Sequence, residues 1–344
     1  MSGYLAKMEE QGFEELIMVC DASCGLKAAV AIHSTVRGPA LGGTRMWSYA
    51  SEEAAIEDLM HLARGMSYKS AAAELPVGGG KGLIIGDPNK DKCPELFHSY
   101  GRFLNRLNKR FYTGKDMGVD EDDLTLMCDE TECVIGGESV GSPSPFTAYG
   151  VWRGIRACAE EVYGSPNLEG KVVAVQGIGS VGESLCQHLV DEGASLIICD
   201  LDQERVKAAQ EKWGARAVSP EDIYSQECDI FSPCAGGGVI NEKTLPQLKC
   251  KIIAGAANNI YKTKEMAKAI QERGILYAPD YVINAGGLVF VEMQRQGITD
   301  QEKITAEVDR IEERLKMLFR RAREEQLLPA EIADIYAEER LQMR

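Results

Sequence analysis

An α/β chain of two domains, the second of them doubly wound, follows from three features of the sequence. The apolar run Lys171-Val172-Val173-Ala174-Val175-Gln176 passes directly into Gly177-Ile178-Gly179-Ser180-Val181-Gly182, and a helical pattern with Leu185, Leu189 and Val190 follows. Strand, glycine turn and helix in that order open a βαβ unit. Short apolar runs at 196–199, 229–231, 251–254 and 275–277 then alternate with helical patterns, which is the signature of a parallel sheet. Finally, 344 residues are too many for one small core, and Pro143 and Pro145 break the composition near 136–146, where no helix can continue. The expected division is a first α/β domain over 1–140 and a doubly wound domain over 141–311, with the helices at about 312–344 packing back on the first.

The bulk numbers exclude several classes. A net charge of −15 with no basic run argues against a nucleic-acid partner, whose phosphates it would repel. The 11 cysteines are scattered, with no CxxC pair, and read as reduced thiols of a cytoplasmic protein. No histidine lies at zinc-binding spacing from Cys128/Cys133 or Cys228/Cys234, so no metal site is expected. The N-terminus lacks the basic and apolar regions of a signal peptide. No run of 18 apolar residues suggests a membrane span.

In the first domain, strands are expected over 14–20 and 26–33, followed by the glycine-containing loop Gly38-Pro39-Ala40-Leu41-Gly42-Gly43-Thr44-Arg45. Ser51 starts a helix with Glu52 and Glu53 in its first turn, where the dipole favours acids. Its stripe is Ile56, Leu59, Met60, Ala63 and Met66, with Tyr68 and Lys69 just after it. Next comes Val77-Gly78-Gly79-Gly80-Lys81-Gly82, read as a glycine loop that ends in the short strand Leu83-Ile84-Ile85. Glycines permit close backbone approach to a ligand. A lysine in such a tight, desolvated place gives up its proton more readily, as a general base must. A glycine turn carrying a solvated lysine would look the same from this stretch alone. A helix over about 94–107 follows, and then Tyr112-Thr113-Gly114-Lys115-Asp116-Met117-Gly118 sets an acid between glycines. After the proline break, Thr147 is expected to cap a helix running to about Tyr163.

The second domain carries a dinucleotide fingerprint. Gly177, Gly179 and Gly182, with Ser180 and Val181 between them, follow a strand and open a helix, and Asp200 ends the next strand about 20 residues on. A pyrophosphate would sit on the helix N-terminus. Asp200 would accept the ribose hydroxyls of NAD and repel the 2′-phosphate of NADP. Asn258, Asn259 and Asn284 lie in loops after later strands, where open parallel sheets bind their ligands. Asparagine is also a plain turn former.

Taken together, these motifs resemble the glutamate/leucine/phenylalanine/valine amino-acid dehydrogenases, and the leucine and phenylalanine branch above all. The resemblance runs from Gly25 to about Gly297. It is carried by GPALGGTRMW (38–47), GMSYKSAAA (65–73), GGGKG (78–82), YTGKDMG (112–118), TAYGV (147–151), AGAANN (254–259) and YAPDYVINAGG (277–287). It implies an N-terminal substrate domain and a Rossmann-type NAD domain with a cleft between them that opens and closes. It also implies reversible oxidative deamination of an L-amino acid to a 2-oxo acid and ammonia, and a homo-oligomer. Carried over onto this chain, Lys69 and Asn258 would bind the substrate carboxylate, and Lys81 would activate water. Asp116 would exchange protons with the amino nitrogen, for which burial should raise its pKa. Backbone groups of Gly42 and Gly43 would line the cleft floor. The strand-end position of Asn259 and Asn284, read from the loops themselves, puts them where a nicotinamide would lie.

The resemblance divides over the side chain accepted. Leucine enzymes of this family usually have Ala at the position of Gly114 and Val at that of Leu288, whereas phenylalanine enzymes have Gly and Leu there. Leu41 and Val291 would complete the pocket walls. Thr44 and Met46-Trp47 look instead like leucine enzymes. The expectation is L-phenylalanine, with leucine or another branched-chain amino acid as the alternative. A nucleotide sensor without catalysis is the remote alternative, disfavoured because Lys81 and Asp116 are both present.

Overall fold

The computed structural model describes residues 3–136 and 141–342. Two compact units emerge. One holds the chain up to Gly141 together with Val291–Ile298 and the stretch from Tyr336, and the other holds Ser142–Phe290 and Thr299–Ile335.

The first unit begins with α1 (Tyr4–Gln11), β1 (Glu15–Asp21), β2 (Leu26–Ser34), β3 (Ala40–Leu41) and β4 (Thr44–Trp47). It continues through α2 (Glu52–Ala72), β5 (Gly78–Ile85), α3 (Pro94–Arg106), β6 (Phe111–Tyr112) and α4 (Glu121–Cys128). The strands form one mixed sheet in the order β1-β2-β5-β3-β6, with β4 also on β5. β1/β2 and β2/β5 are antiparallel, and β3 and β4 run parallel to β5. One face packs Phe97, Tyr100, Leu104 and Phe111 against Val30, Ile32 and Ile84. The other packs Ile56, Leu59, Met60 and Ala63 of α2 against Ala29, Ala31 and Leu83.

Two expectations change here. The glycine run is not a loop but the first half of β5, and none of its glycines has a positive φ. Their smallness is used for contact: a Cβ on Gly79 would lie 2.0 Å from Ser67 N, and one on Gly82 would lie 2.3 Å from Thr44 Oγ1 and Tyr100 Oη. Helix α2, capped by Ser51 Oγ accepting from Ala54 N at 3.1 Å, also runs past Met66 to Ala72. Tyr68 and Lys69 are therefore in its last turns. The small residues Ser67, Ser70, Ala71 and Ala72, all buried, let those turns lie directly on the glycine strand.

The second unit opens with α5 (Ser144–Tyr163), β7 (Val172–Gln176), α6 (Ser180–Asp191), β8 (Ser195–Cys199), α7 (Gln203–Trp213) and β9 (Arg216–Ala217). Then come β10 (Ile230–Pro233), β11 (Ile252–Ile253), α8 (Lys264–Glu272), β12 (Leu276–Tyr277) and α9 (Asp280–Ile283). The chain ends with α10 (Gly286–Arg295), α11 (Gln301–Glu325) and α12 (Pro329–Gln342). Every pairing in the sheet β12-β11-β10-β7-β8-β9 is parallel. The order reverses between β7 and β10, which is the switch point of a doubly wound sheet.

The composition break at 136–146 falls partly on 137–140, outside the described residues. Helix α5 starts at Ser144 with Pro145 in its first turn. Thr147 is therefore inside the helix, its hydroxyl donating to Pro143 O at 3.1 Å rather than capping. Helix α11 groups with the second unit. A Cβ on Gly150 or Gly154 of α5 would meet Ile311 Cδ1 at 2.7 Å or Leu315 Cδ1 at 2.9 Å, so these glycines bring α5 and α11 together inside the second unit. Only the stretch from Tyr336 groups with the first, where Tyr336 Oη and Arg340 Nη2 donate to Glu74 Oε1 at 2.6 and 2.8 Å.

Candidate active site

Alternation along β5 places Gly79, Lys81 and Leu83 on one face of the strand, the face that α2 covers through Ser67 and its apolar stripe. Lys81 is only 6% exposed. Its Nζ lies 2.7 Å from Asp116 Oδ2.

Asp116 is delivered by the chain that runs alongside β3 and β4. Gly42 N donates to Tyr112 O at 3.1 Å, Thr44 N to Gly114 O at 2.9 Å and Met46 N to Met117 O at 2.9 Å. A Cβ on Gly43 would lie 2.7 Å from Lys115 O and 3.0 Å from Asp116 Cβ, so only glycine lets the acid come this close. Leu41 is buried at the end of β3, and a Cβ on Gly42 would lie 1.9 Å from Gly80 O. The floor is thus made of backbone.

A residue to which sequence reasoning gave no role completes the pair. Arg45 Nε lies 3.2 Å from Asp116 Oδ2, and its Nη1 lies 3.0 Å from Asp58 Oδ2. Asp58 also accepts from Tyr49 Oη at 2.5 Å. Arg45 stands inside GPALGGTRMW, yet a single arginine carries no signal of which acid it will meet. Its effect is electrostatic. Burial alone would push the Asp116 carboxyl up, but Lys81 and Arg45 outweigh it and hold it below the ordinary carboxylate range. The expectation of a raised pKa is therefore corrected: Asp116 is a carboxylate between two cations.

Lys69 sits half-buried in the last turn of α2, two residues after the Ser67 that touches Gly79. Thr44 is occupied otherwise. Its buried hydroxyl meets Thr113 Oγ1 at 2.7 Å and Tyr100 Oη at 3.0 Å, so it is held by the core. Gly114 has a backbone reason as well, since a Cβ there would lie 2.9 Å from Ile135 O.

In the second unit, Gly177 closes the turn after β7 at φ +97°, and a Cβ on Gly182 would lie 2.0 Å from Gly177 O. Gly179 is the N-cap of α6 and offers no side chain to it, so the first-turn N–H groups at Ser180, Val181 and Gly182 face outward for an anion. The cradle fits a dinucleotide pyrophosphate. Asp200 stands at the end of β8, accepting from Ile178 N at 2.6 Å and Asp202 N at 2.9 Å. Asn284, buried, donates to Asn258 Oδ1 at 2.6 Å and Ala256 O at 2.9 Å. Asn259 has φ +51°, and its N–H donates to Asp280 Oδ2 at 2.5 Å. Leu288 is buried and Val291 half-buried on α10, Leu288 within the second unit and Val291 grouped with the first.

Among the described residues no group of three or more His, Cys, Asp or Glu could hold a metal, and no helix is long and apolar enough to cross a membrane.

A parallel sheet reversing at its switch point, with an open glycine cradle and an acid after the next strand, defines an oxidoreductase of the Rossmann-type α/β class. The chain belongs to the Glu/Leu/Phe/Val dehydrogenase family of amino-acid dehydrogenases: residues 15–133 match its dimerisation domain and residues 198–341 its second domain, described as glutamate/leucine/phenylalanine/valine dehydrogenase. It is 50% identical over 339 residues to a leucine dehydrogenase of Geobacillus stearothermophilus, covering 97% of this chain and 92% of the relative. It is 43% identical over 340 residues to a phenylalanine dehydrogenase of Thermoactinomyces intermedius, covering 97% and 93%. The crystal structure of L-tryptophan dehydrogenase from Nostoc punctiforme is similar with a TM-score of 0.88 and 40% identity, over 98% of each chain.

Proposed function

We propose that this chain catalyses the NAD-dependent, reversible oxidative deamination of an L-amino acid with an apolar side chain, leucine before phenylalanine. The observation that carries the reaction is the buried Lys81–Asp116 pair at 2.7 Å on a floor of glycine backbone.

The chemistry asks for three things of the protein. A fixed cation must hold the substrate carboxylate, and Lys69 with Asn258 is assigned that task. A carboxylate must take a proton from the substrate ammonium, and Asp116, kept ionised by its two cations, is suited to it. A base must activate the water that attacks the imine carbon, and Lys81 is assigned this role in its neutral form, after the proton it carries in the pair with Asp116 has left to solvent. When bound, the nicotinamide ring accepts the hydride that leaves Cα. Water addition and loss of ammonia then give the 2-oxo acid. Gly177, Gly179, Ser180, Val181 and Gly182 would cradle the pyrophosphate. Asp200 would accept from the ribose hydroxyls, which favours NAD over NADP. Asn259 and Asn284 are assigned to the nicotinamide end.

Leucine is preferred because relatives named leucine dehydrogenase reach 50% identity against 43% for the phenylalanine enzyme. The backbone reason for Gly114 also weakens the inference from that residue to a larger pocket. Phenylalanine remains the second reading on Leu288, which matches the aromatic pattern with Leu41 and Val291 as the other walls. Self-association belongs to the same proposal. The matched dimerisation model spans β1, which is an edge strand with Met18 exposed.

The test is NADH formation from L-leucine, L-valine, L-phenylalanine and L-glutamate side by side. The proposal expects the highest kcat/KM for leucine and none measurable for glutamate. A higher value for phenylalanine selects the second reading, and no NADH from any apolar amino acid overturns both.

A further inference from the structure

A cavity of about 290 Å³ opens beside the glycine cradle, lined by Gly179, Ser180, Glu183, Arg205, Lys212 and Trp213 among others. Lys212 is engaged there: its Nζ lies 3.6 Å from Glu183 Oε1 and 4.6 Å from the centre of the Trp213 ring. Arg205 lines the same cavity and reaches toward Gly179. It stands in the first turn of α7, its Nε 3.3 Å from Asp202 Oδ2. Among the described residues, chain neighbours aside, its Nη1 is the heavy atom nearest to where a Cβ on Gly179 would stand, at 3.8 Å.

The space over Gly179 is thus bounded on one side by a guanidinium. Beside the same turn stands Asp200, whose carboxylate is anchored by Ile178 N and Asp202 N. In a doubly wound dinucleotide fold the adenosine ribose lies between the glycine turn and the acid after the second strand, and a nearby arginine is what accommodates a 2′-phosphate. A guanidinium is well matched to such a group because it can donate two parallel hydrogen bonds.

We infer that Arg205 is a specificity-determining residue for the dinucleotide: its guanidinium, held by Asp202 at 3.3 Å, supplies a 2′-phosphate contact over Gly179, and the fixed carboxylate of Asp200 is the main group that keeps that contact from being used. The inference rests on the dinucleotide reading given above. Discrimination between the two cofactors is then set by Asp200 against Arg205, and neutralising Asp200, with Asp202 still on the guanidinium, shifts the site toward the phosphorylated ribose.

Direct binding tests it without turnover. ADP-ribose and 2′-phospho-ADP-ribose are titrated calorimetrically into the full chain, its Asp200→Asn variant, the Asp200→Asn/Arg205→Gln double variant and an Asp200→Asn/Arg205→Lys control. Ile178 N and Asp202 N bond to different oxygens of Asp200, so asparagine keeps an acceptor for one of them and removes the charge. Each protein is read as the ratio of its two affinities, so a loss of folded material cancels. The expected result is a ratio that moves at least about tenfold toward 2′-phospho-ADP-ribose in Asp200→Asn, about one charge-assisted contact. It falls back about tenfold on adding Arg205→Gln and less with Arg205→Lys. An unchanged ratio between the single variant and the Gln double variant overturns the inference while leaving the dinucleotide reading intact. Failure of the unmodified chain to bind ADP-ribose overturns both.

Discussion

Lys81 Nζ lies 2.7 Å from Asp116 Oδ2, and Arg45 Nε approaches the same oxygen at 3.2 Å. One carboxylate oxygen thus serves two cations, and breaking a buried pair leaves uncompensated charge.

The acid limb of stability follows from that arrangement. Asp116 has its pKa lowered in the folded chain from an ordinary 3.8, because Lys81 and Arg45 outweigh the effect of burial. Above the unfolded value the unfolded chain holds no more protons than the folded one, so the stabilisation is fully present. It is lost as pH falls through the folded pKa. Asp116→Asn should therefore cost on the order of 3 kcal/mol at neutral pH and progressively less below about pH 4. Urea unfolding of both proteins across that range checks it, and a constant difference would contradict it.

A second pH window belongs to His33. The ring is 7% exposed and packs edge-on to Phe13 at 4.8 Å. Its Nε2 meets Gln11 O at 3.2 Å, so that nitrogen carries the hydrogen. Burial pushes its pKa down to about 4. Between the unfolded value near 6.5 and about 4, the unfolded chain binds a proton that the folded chain refuses, so stability falls with pH across that window. The effect is on the order of 3 kcal/mol. His33→Gln should flatten the stability profile there, as measured by urea midpoints at several pH values.

The glycines of β5 should be intolerant of even one methyl. Gly79→Ala sets a Cβ 2.0 Å from Ser67 N, where neither backbone can yield, and should cost on the order of 3 kcal/mol. Gly65, on the exposed side of α2, has nothing within 4 Å of its Cβ position. Gly65→Ala should stabilise by about 0.5–1 kcal/mol. Opposite signs in denaturant midpoints are the expected outcome.

Gly114 separates two accounts of substrate choice. If its smallness serves the contact with Ile135 O, Gly114→Ala lowers stability by about 1–3 kcal/mol and lowers kcat/KM for leucine and phenylalanine alike. A selective loss for phenylalanine would instead assign the missing methyl to the side-chain pocket.

Much of this was legible in the sequence, and the failures have physical causes. The doubly wound unit announced itself because strand, glycine turn, helix and acid follow one another locally, and Gly177, Gly182 and Asp200 all act within one βαβ unit. Lys81 and Asp116 could be named, but the strand that carries Lys81 looked like a loop. Glycine has low strand propensity, and only the opposing Ser67, Thr44 and Tyr100 reveal why glycine is required. Arg45 was missed because its partners, Asp58 and Asp116, are 13 and 71 residues away. The unit that α11 groups with was not legible in its own apolar face, because the glycines that receive it lie on α5.

The most direct test of the catalytic account is turnover of the Lys81→Ala variant with L-leucine and NAD, paired with NADH binding followed by fluorescence. The account predicts a fall in kcat of roughly 10²–10⁴-fold, with NADH affinity unchanged because the glycine cradle is on the second unit. A variant that binds NADH normally and keeps kcat within a few-fold of the unmodified chain would contradict the role given to the Lys81–Asp116 pair.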